Sequence, residues 1–238
     1  GYTETALKEG QAQVTTKRES IKYNNYNEIL SYTDTVTTPS VSDITSTIKF
    51  NANSYNSLGQ LTAYSETKTE IDSTTLGYNV TTDTLRSAIS YDSVTGQMTG
   101  YKEVVTKTNS SPVQTIRSNM TYNTLGQINS YSDAITNLTG ATDLATVIKF
   151  GFDGVNASVP AYDSKGRLTS YKEYKTESGL NLNVATLTER TGISYYDITG
   201  QMSGYTETAS KEGQAQVTTK RESIKYNNYN EILSYTDT

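Results

Sequence analysis

The stretch MTYNTLGQINSY, Met120 to Tyr131, contains the pattern on which the whole chain is built. Its centre, Asn123 to Gly126, has the composition of a type I turn followed by a residue in the left-handed region, the three-residue hairpin loop with a G1 bulge. On either side, β-branched and aromatic residues alternate with polar ones, which is strand chemistry. The reading predicts a tight antiparallel hairpin, with Tyr122 facing Ile128 and Met120 facing Ser130.

The same stretch recurs in seven versions. YNSLGQLTAY runs from Tyr55 to Tyr64, YDSKGRLTSY from Tyr162 to Tyr171, and YNNYNEILSY from Tyr23 to Tyr32 and again from Tyr226 to Tyr235. ISYDSVTGQMTGY begins at Ile89 and ISYYDITGQMSGY at Ile193. Asn27 and Asn230 stand where the other versions have Gly, and Asn is the side chain that next best tolerates positive φ. Each version ends on a closing tyrosine five residues later: Tyr32, Tyr64, Tyr101, Tyr131, Tyr171, Tyr205 and Tyr235, with Tyr2 as the remnant of an earlier unit. The gaps between closing tyrosines, counted from Tyr2, are 30, 32, 37, 30, 40, 34 and 30 residues.

A second anchor is an apolar-polar-aromatic triplet: Ile21 to Tyr23, Ile48 to Phe50, Ile89 to Tyr91, Met120 to Tyr122, Ile148 to Phe150, Ile193 to Tyr195 and Ile224 to Tyr226. From its aromatic to the turn Gly or Asn the spacing runs 4, 9, 5, 4, 16, 5 and 4, so the units cycle in threes and give super-repeats 2–101 and 101–205. Residues 204–238 duplicate 1–35 with one difference, Leu7 against Ser210. Residues 1–238 therefore read as one continuous array without capped ends, expected to be a segment of something longer.

If each closing tyrosine pairs with the next Ile or Met, the midpoints of the intervening arms predict a second set of turns. They fall at or beside Gly10, Pro39-Ser40, Leu76-Gly77, Ser110-Ser111-Pro112, Thr139-Gly140 and Gly213; only in the arm from Tyr171 to Ile193 does the turn former, Gly179, come early. The expected fold is all-β, a repetitive antiparallel hairpin meander of about 14 strands. A sheet that wide is expected to coil into a β-spiral, tube or solenoid, with a discrete barrel or β-sandwich as the alternative. Strict alternation places Ile/Met, Tyr/Phe, Leu/Ile/Met and a small residue (Ser31, Ala63, Gly100, Ser130, Ser170, Gly204, Ser234) on one face. The closing tyrosines, each followed by Asp or Glu, fall on the other, and the small residues point to close approach by a neighbouring layer.

Composition limits the chemistry. Leu, Ile, Val and Phe make up 44 of 238 residues, a share ordinarily associated with disorder, yet they return at the same few positions in every unit, supported by 20 tyrosines and 41 threonines. The chain has no Cys, His or Trp. That excludes Ser-His and Cys-His nucleophiles, disulfides, and thiolate or imidazole metal sites, so no catalytic, cofactor-binding or metal residue is assigned and no enzyme is expected. A net charge of -5 with Lys and Arg scattered among acids argues against nucleic acid as a partner. Glu and Lys on the strands, as in Glu66, Lys68 and Glu70, and the lack of any 18-residue apolar run argue against membrane insertion. The closing tyrosines Tyr32, Tyr64, Tyr101, Tyr131, Tyr171, Tyr205 and Tyr235 form a candidate contact face, either stacking on surface glycans or packing against cross-strand neighbours. The insertion around Asp153-Gly154, ahead of Tyr162, is the longest and is a candidate variable contact loop.

YDSKGRLTSY, with its Tyr-Asn and Gly-Gln variants in all seven units, resembles the YD repeat of the bacterial Rhs family and the related teneurins. That resemblance implies hairpins spiralling into a hollow shell, which in Rhs proteins encloses a toxin. The present units are longer than YD repeats, and Asn often replaces Asp. ISYYDITGQMSGY is more distantly similar to choline- or glucan-binding repeats, which rely on the Trp this chain lacks. The expectation is a non-catalytic structural segment of a long bacterial fibre, tube or shell, secreted or displayed on the cell surface. Its expected partners are further copies of the repeat, with surface glycans if it acts as an adhesin.

Overall fold

The computed structural model describes residues 1–6, 14–37, 44–72, 77–138, 144–227 and 230–238. Among them there is no helix; the chain is an antiparallel meander of the kind the turn motif predicts. Strand β1 (Tyr2–Ala6) precedes the hairpin of β2 (Val14–Tyr23) and β3 (Ile29–Thr37). The next hairpins are β4 (Ile44–Tyr55) with β5 (Leu61–Asp72), β6 (Asn79–Tyr91) with β7 (Met98–Lys107), and β8 (Val113–Tyr122) with β9 (Ile128–Asn137). Then come β10 (Ala145–Phe150), the short β11 (Ala161–Tyr162) and β12 (Leu168–Gly179), followed by β13 (Leu182–Tyr195) with β14 (Met202–Lys211) and β15 (Val217–Tyr226) with β16 (Ile232–Asp237). Neighbours in the sheet are neighbours in sequence, except that β11 lies off the path against β12. There are 16 described strands rather than 14 because β1 and β11 add to the seven hairpins.

The chain divides into two compact units, residues 1–90 with 101–114, and residues 91–100 with 115–238. Both use the same turn. Gly59 donates its N–H to the Asn56 carbonyl at 3.1 Å, Asn56 N–H donates to the Gln60 carbonyl at 2.9 Å, and Gly59 sits at φ +74°. Asn27 and Asn230 occupy the same place at φ +64° and +67°, as their substitution for Gly predicts. The Asx side chain opening the turn caps its interior. Asn56 Oδ1 accepts from Leu58 and Gln60 N–H, and its amide donates to Gln60 Oε1 at 2.8 Å. Where the opening residue is Asp163 the residue four on is Arg167, whose guanidinium donates to Oδ2 at 2.7 Å. The Asn-Gln and Asp-Arg versions of the motif are thus two ways of matching a donor to an acceptor across the same turn.

Register inside each hairpin departs from strict alternation. Tyr23 pairs with Ile29 as expected, but Lys22 then pairs with Ser31 and Glu19 with Thr33, so Leu30 is extra on β3, and Ser20 and Ile21 of β2 together oppose the single Tyr32. The β13-β14 and β15-β16 hairpins repeat the pattern. In the Met120 hairpin it is Thr121, not Met120, that meets Ser130, with hydroxyls 2.7 Å apart. These are β-bulges, and the residue before the apolar anchor takes positive φ: Ser20 +56°, Ala88 +50°, Asn119 +55°, Gly192 +58° and Ser223 +55°. The anchors they aim inward, Ile89, Met120, Ile193 and Ile224, make up four of the five buried apolar side chains among the described residues, Phe150 being the fifth.

The bulges correct three expectations. First, a pair of them shifts side-chain phase, so the closing tyrosines and the apolar anchors do not lie on opposite faces: in the second unit Tyr131 and Tyr171 line one groove with Leu168, Ile193, Tyr195 and Met202. Second, at Gly204 the close approach before the closing tyrosine comes from the adjacent strand: a Cβ there would lie 2.8 Å from the Arg221 carbonyl oxygen on β15. Third, closing tyrosines do not pair with the next Ile or Met. Tyr64 lies opposite Arg86, Tyr171 opposite Arg190, Tyr205 opposite Arg221 and Tyr32 opposite Phe50. This register puts the turn of the arm from Tyr171 to Ile193 at Leu180-Asn181, directly after Gly179, and removes the apparent displacement there. The expected turns at Ser110 and Gly213 are present, with Ser110 N–H donating to the Lys107 carbonyl and Gln214 N–H to that of Lys211. Those at Gly10, Pro39-Ser40, Leu76 and Thr139-Gly140 lie outside the described residues.

Candidate functional site

Two rows of side chains, one in each unit, carry the chain's most specific side-chain chemistry. In the first unit Arg18 lies 5.8 Å from the Tyr2 ring centroid and 3.6 Å from that of Tyr32; Tyr32 stacks on Phe50 at 4.9 Å; Phe50 meets Tyr64 at 5.4 Å; and Arg86 lies 5.5 Å from Tyr64 and 4.2 Å from Tyr101. In the second unit the row runs Arg117, Tyr131, Phe150, Tyr171, Arg190, Tyr205, Arg221, Tyr235, with centroid separations between 3.6 and 5.8 Å. Every closing tyrosine singled out from the sequence belongs to one of these rows.

The register explains the alternation. Each row arginine lies directly across from the acid two residues past the next closing tyrosine and diagonal to the tyrosine itself, as in Arg18 with Asp34 and Tyr32. The guanidinium therefore stacks on the ring while it reaches the carboxylate. Arg18 Nε and Nη2 donate to the two Asp34 oxygens at 2.7 Å each, Arg117 grips Asp133 at 2.7 and 2.6 Å, and Arg221 grips Asp237 at 2.7 and 2.7 Å. Arg86 and Arg190 instead direct Nε and Nη2 at a single oxygen, Oε2, of Glu103 and Glu207. The forked, planar guanidinium suits both contacts at once. Asp34 and Asp133 are 6% exposed, a depth a carboxylate tolerates only when so matched. The bond to Asp34 pushes the Arg18 guanidinium further above its already high range, and that to Arg221 holds Asp237 below the ordinary carboxylate value.

All six arginines of the chain are used in this manner, since Arg167 lies 4.5 Å from the Tyr195 ring centroid while paired with Asp163. Sequence reading missed these residues although a signal was present: each row arginine precedes its closing tyrosine by 14 or 15 residues, and an acid follows that tyrosine by two. The triplet alignment hid it. It matches Phe50 and Phe150 to Tyr23, but in the structure they occupy the place of Arg18, and Tyr55 and Tyr162 are the true counterparts of Tyr23. With that correction the spacing from aromatic to turn Gly or Asn is 4, 4, 5, 4, 4, 5 and 4.

A second series lies at the turns. At five turns the preceding tyrosine donates its hydroxyl to the carbonyl opening the return strand of the preceding hairpin, as Tyr55 does to Ile29 and Tyr162 to Ile128, Tyr122 to Met98 at 2.9 Å, Tyr195 to Leu168 at 2.7 Å and Tyr226 to Met202 at 3.0 Å. Burial pushes these phenols above their ordinary range. The Asp153-Gly154 insertion is a small hairpin closed by the Phe152-Ala157 bridge and packed on Tyr174, whose ring a Cβ on Gly154 would meet at 3.4 Å. Among the described residues no cluster of acids is arranged to hold a metal ion. No family model, no curated protein and no solved structure matches the chain.

Proposed function

We propose that this chain is a non-catalytic structural repeat segment, part of a long fibre, tube or shell on or outside the cell. The observation that carries the reading is the internal use of the repeated side chains. In the interior of each row the tyrosine rings have arginine or phenylalanine on both sides, and each arginine is already bound to an acid of the same chain. Positions repeated seven times are thus devoted to holding one hairpin to the next, which is the economy of a scaffold. Stacking on glycans needs free ring faces, so the tyrosine rows favour the scaffold reading over the adhesin one. The YD-like turn motif supports a shell or tube of hairpins as the form such a scaffold takes.

Electron microscopy of the full-length parent protein tests this. Elongated or hollow particles of uniform width are the expected result, and compact globules without a repeat would overturn it. Saturable binding on a broad glycan array that is lost with Tyr64→Ala and Tyr171→Ala would instead establish the adhesin reading.

A further inference from the structure

The rows have two exceptions, and they match. At Phe50 and Phe150 the arginine is replaced by phenylalanine, which keeps its stacking place between two tyrosines but offers nothing to the acid across from it. Those acids are Glu66, opposite Phe50, and Glu173, opposite Phe150. In both cases a lysine two residues on turns away: Lys68 pairs with Glu70 at 2.7 Å and Lys175 with Glu177 at 2.9 Å. Arg190, the nearest guanidinium to Glu173, is committed to Glu207. The carboxylate of neither Glu66 nor Glu173 makes an ion pair or hydrogen bond with a described residue, whereas the acids at the five equivalent rungs are each held by an arginine.

Beside Glu173 lies a groove of about 280 Å³, near the lower end of the range for small-ligand sites, whose walls include Phe150, Tyr171 and Tyr195. Partial burial pushes the Glu173 carboxyl above the ordinary range even though Arg190 and Lys175 pull it down, the mark of a negative charge with too little compensation. At the five equivalent rungs the acid two residues past a closing tyrosine binds a guanidinium, through both oxygens at Asp34, Asp133 and Asp237 and through one at Glu103 and Glu207; at Glu173 the stacking place is filled by Phe150, so the carboxylate is the group left to bind.

We propose that Glu173, and Glu66 at the matching place 107 residues earlier, are recognition points for a guanidinium supplied from outside the chain, carried by an arginine side chain of a partner polypeptide or by a free guanidino compound. The acidic balance of the chain, with 25 Asp and Glu against 20 Lys and Arg, favours a cationic ligand, and the planar fork of a guanidinium matches a carboxylate as an ammonium does not. This inference does not depend on the scaffold reading.

The test is titration of the folded protein with N-acetyl-arginine methylamide, N-acetyl-lysine methylamide and a short arginine-containing peptide, following the tyrosine and phenylalanine ring resonances by NMR. Saturable shifts are expected with the arginine amide, at least several-fold weaker with the lysine amide. A peptide at least tenfold tighter than the amide identifies a polypeptide as the source; equal affinities identify a free guanidino compound. The double variant Glu66→Gln/Glu173→Gln is expected to lose the response. So is Phe50→Arg/Phe150→Arg, which places the chain's own guanidinium at the site, with the β-sheet circular dichroism of either variant reporting that it has folded. No saturable response from the unaltered protein, or one that survives Glu66→Gln/Glu173→Gln, overturns the proposal.

Discussion

The hydroxyl of Tyr195 donates to the carbonyl oxygen of Leu168 across 2.7 Å, joining the turn of one hairpin to the turn before it. The two residues are 27 apart in sequence and both follow from the turn motif, Tyr as its last residue before the loop and Leu as its first after it. Ladder hydrogen bonds hold strand to strand; this bond fixes the spacing of successive turns.

Replacing Tyr195 by Phe keeps the ring and removes that donor, leaving the Leu168 carbonyl without it. The expected loss is about 1 kcal/mol in equilibrium denaturation. Tyr26, 84% exposed at a turn tip, provides the control: Tyr26→Phe should leave the midpoint unchanged. Equal effects from the two would contradict the role assigned to the hydroxyl.

Arg117→Ala strands the 6% exposed Asp133 carboxylate, for a predicted cost of about 3 kcal/mol. Arg117→Lys should recover only part of this, because an ammonium has no fork for the carboxylate and no flat face for Tyr131. The homologous change Arg221→Ala should cost clearly less, since its partner Asp237 lies in the open with a side chain 35% exposed. Thermal unfolding of the three variants ranks them, and an Arg117→Lys protein as stable as the parent would contradict the stacking argument.

Gly192 sits at φ +58° in its bulge with open space where a Cβ would go, so Gly192→Ala isolates backbone strain. It should destabilise by about 1 kcal/mol. Gly151→Ala should be far worse, because there the added carbon would lie 2.1 Å from the Asn129 carbonyl oxygen. Ala88→Gly is expected to be neutral to mildly stabilising, relief of strain at φ +50° offsetting the extra freedom of glycine in the unfolded chain.

The pH profile has two edges. Asp92, Asp163 and Asp237 are held below the ordinary carboxylate range, Asp92 and Asp163 mainly by turn N–H groups and Asp237 by Arg221, so their contribution is present above about pH 4 and lost as pH falls through the lowered values. Burial raises phenols such as Tyr64, Tyr122, Tyr162 and Tyr171; their contribution is present below about pH 10 and lost as pH rises through the raised values. Glu173 has the opposite sign from the aspartates. Its raised value means that its charge opposes folding at neutral pH, and Glu173→Gln should raise the melting temperature at pH 7. Melting temperature measured from pH 2 to 12 should form a plateau with two falling limbs, and a profile flat through pH 11 would contradict the phenol assignment.

The hairpins, their turns and the all-β meander were legible in the sequence because turn chemistry is local: Asn123 to Gly126 needs no distant partner to be read. The bulges were not. Ser20 and Ala88 carry no marker for positive φ, and only Asn119, Gly192 and Gly151 hint at it. Missing them put the closing tyrosines on the wrong face and matched Phe50 to Tyr23 instead of Arg18. The candidate site suffered most, since a row of side chains across neighbouring strands depends on register, and a shift of one residue in register reverses every side chain.

Because neighbours in the sheet are neighbours along the chain, tension applied to the two ends opens the structure like a zip, one hairpin at a time, and not by shearing all strands together. Each event frees a repeat of 30 to 40 residues, roughly 100 to 140 Å of extended chain, and the tyrosine hydroxyl bond between successive turns must break before the next hairpin detaches. Stretched in this direction, the chain lengthens in steps set by the repeat lengths, absorbing mechanical work while the hairpins still folded remain intact.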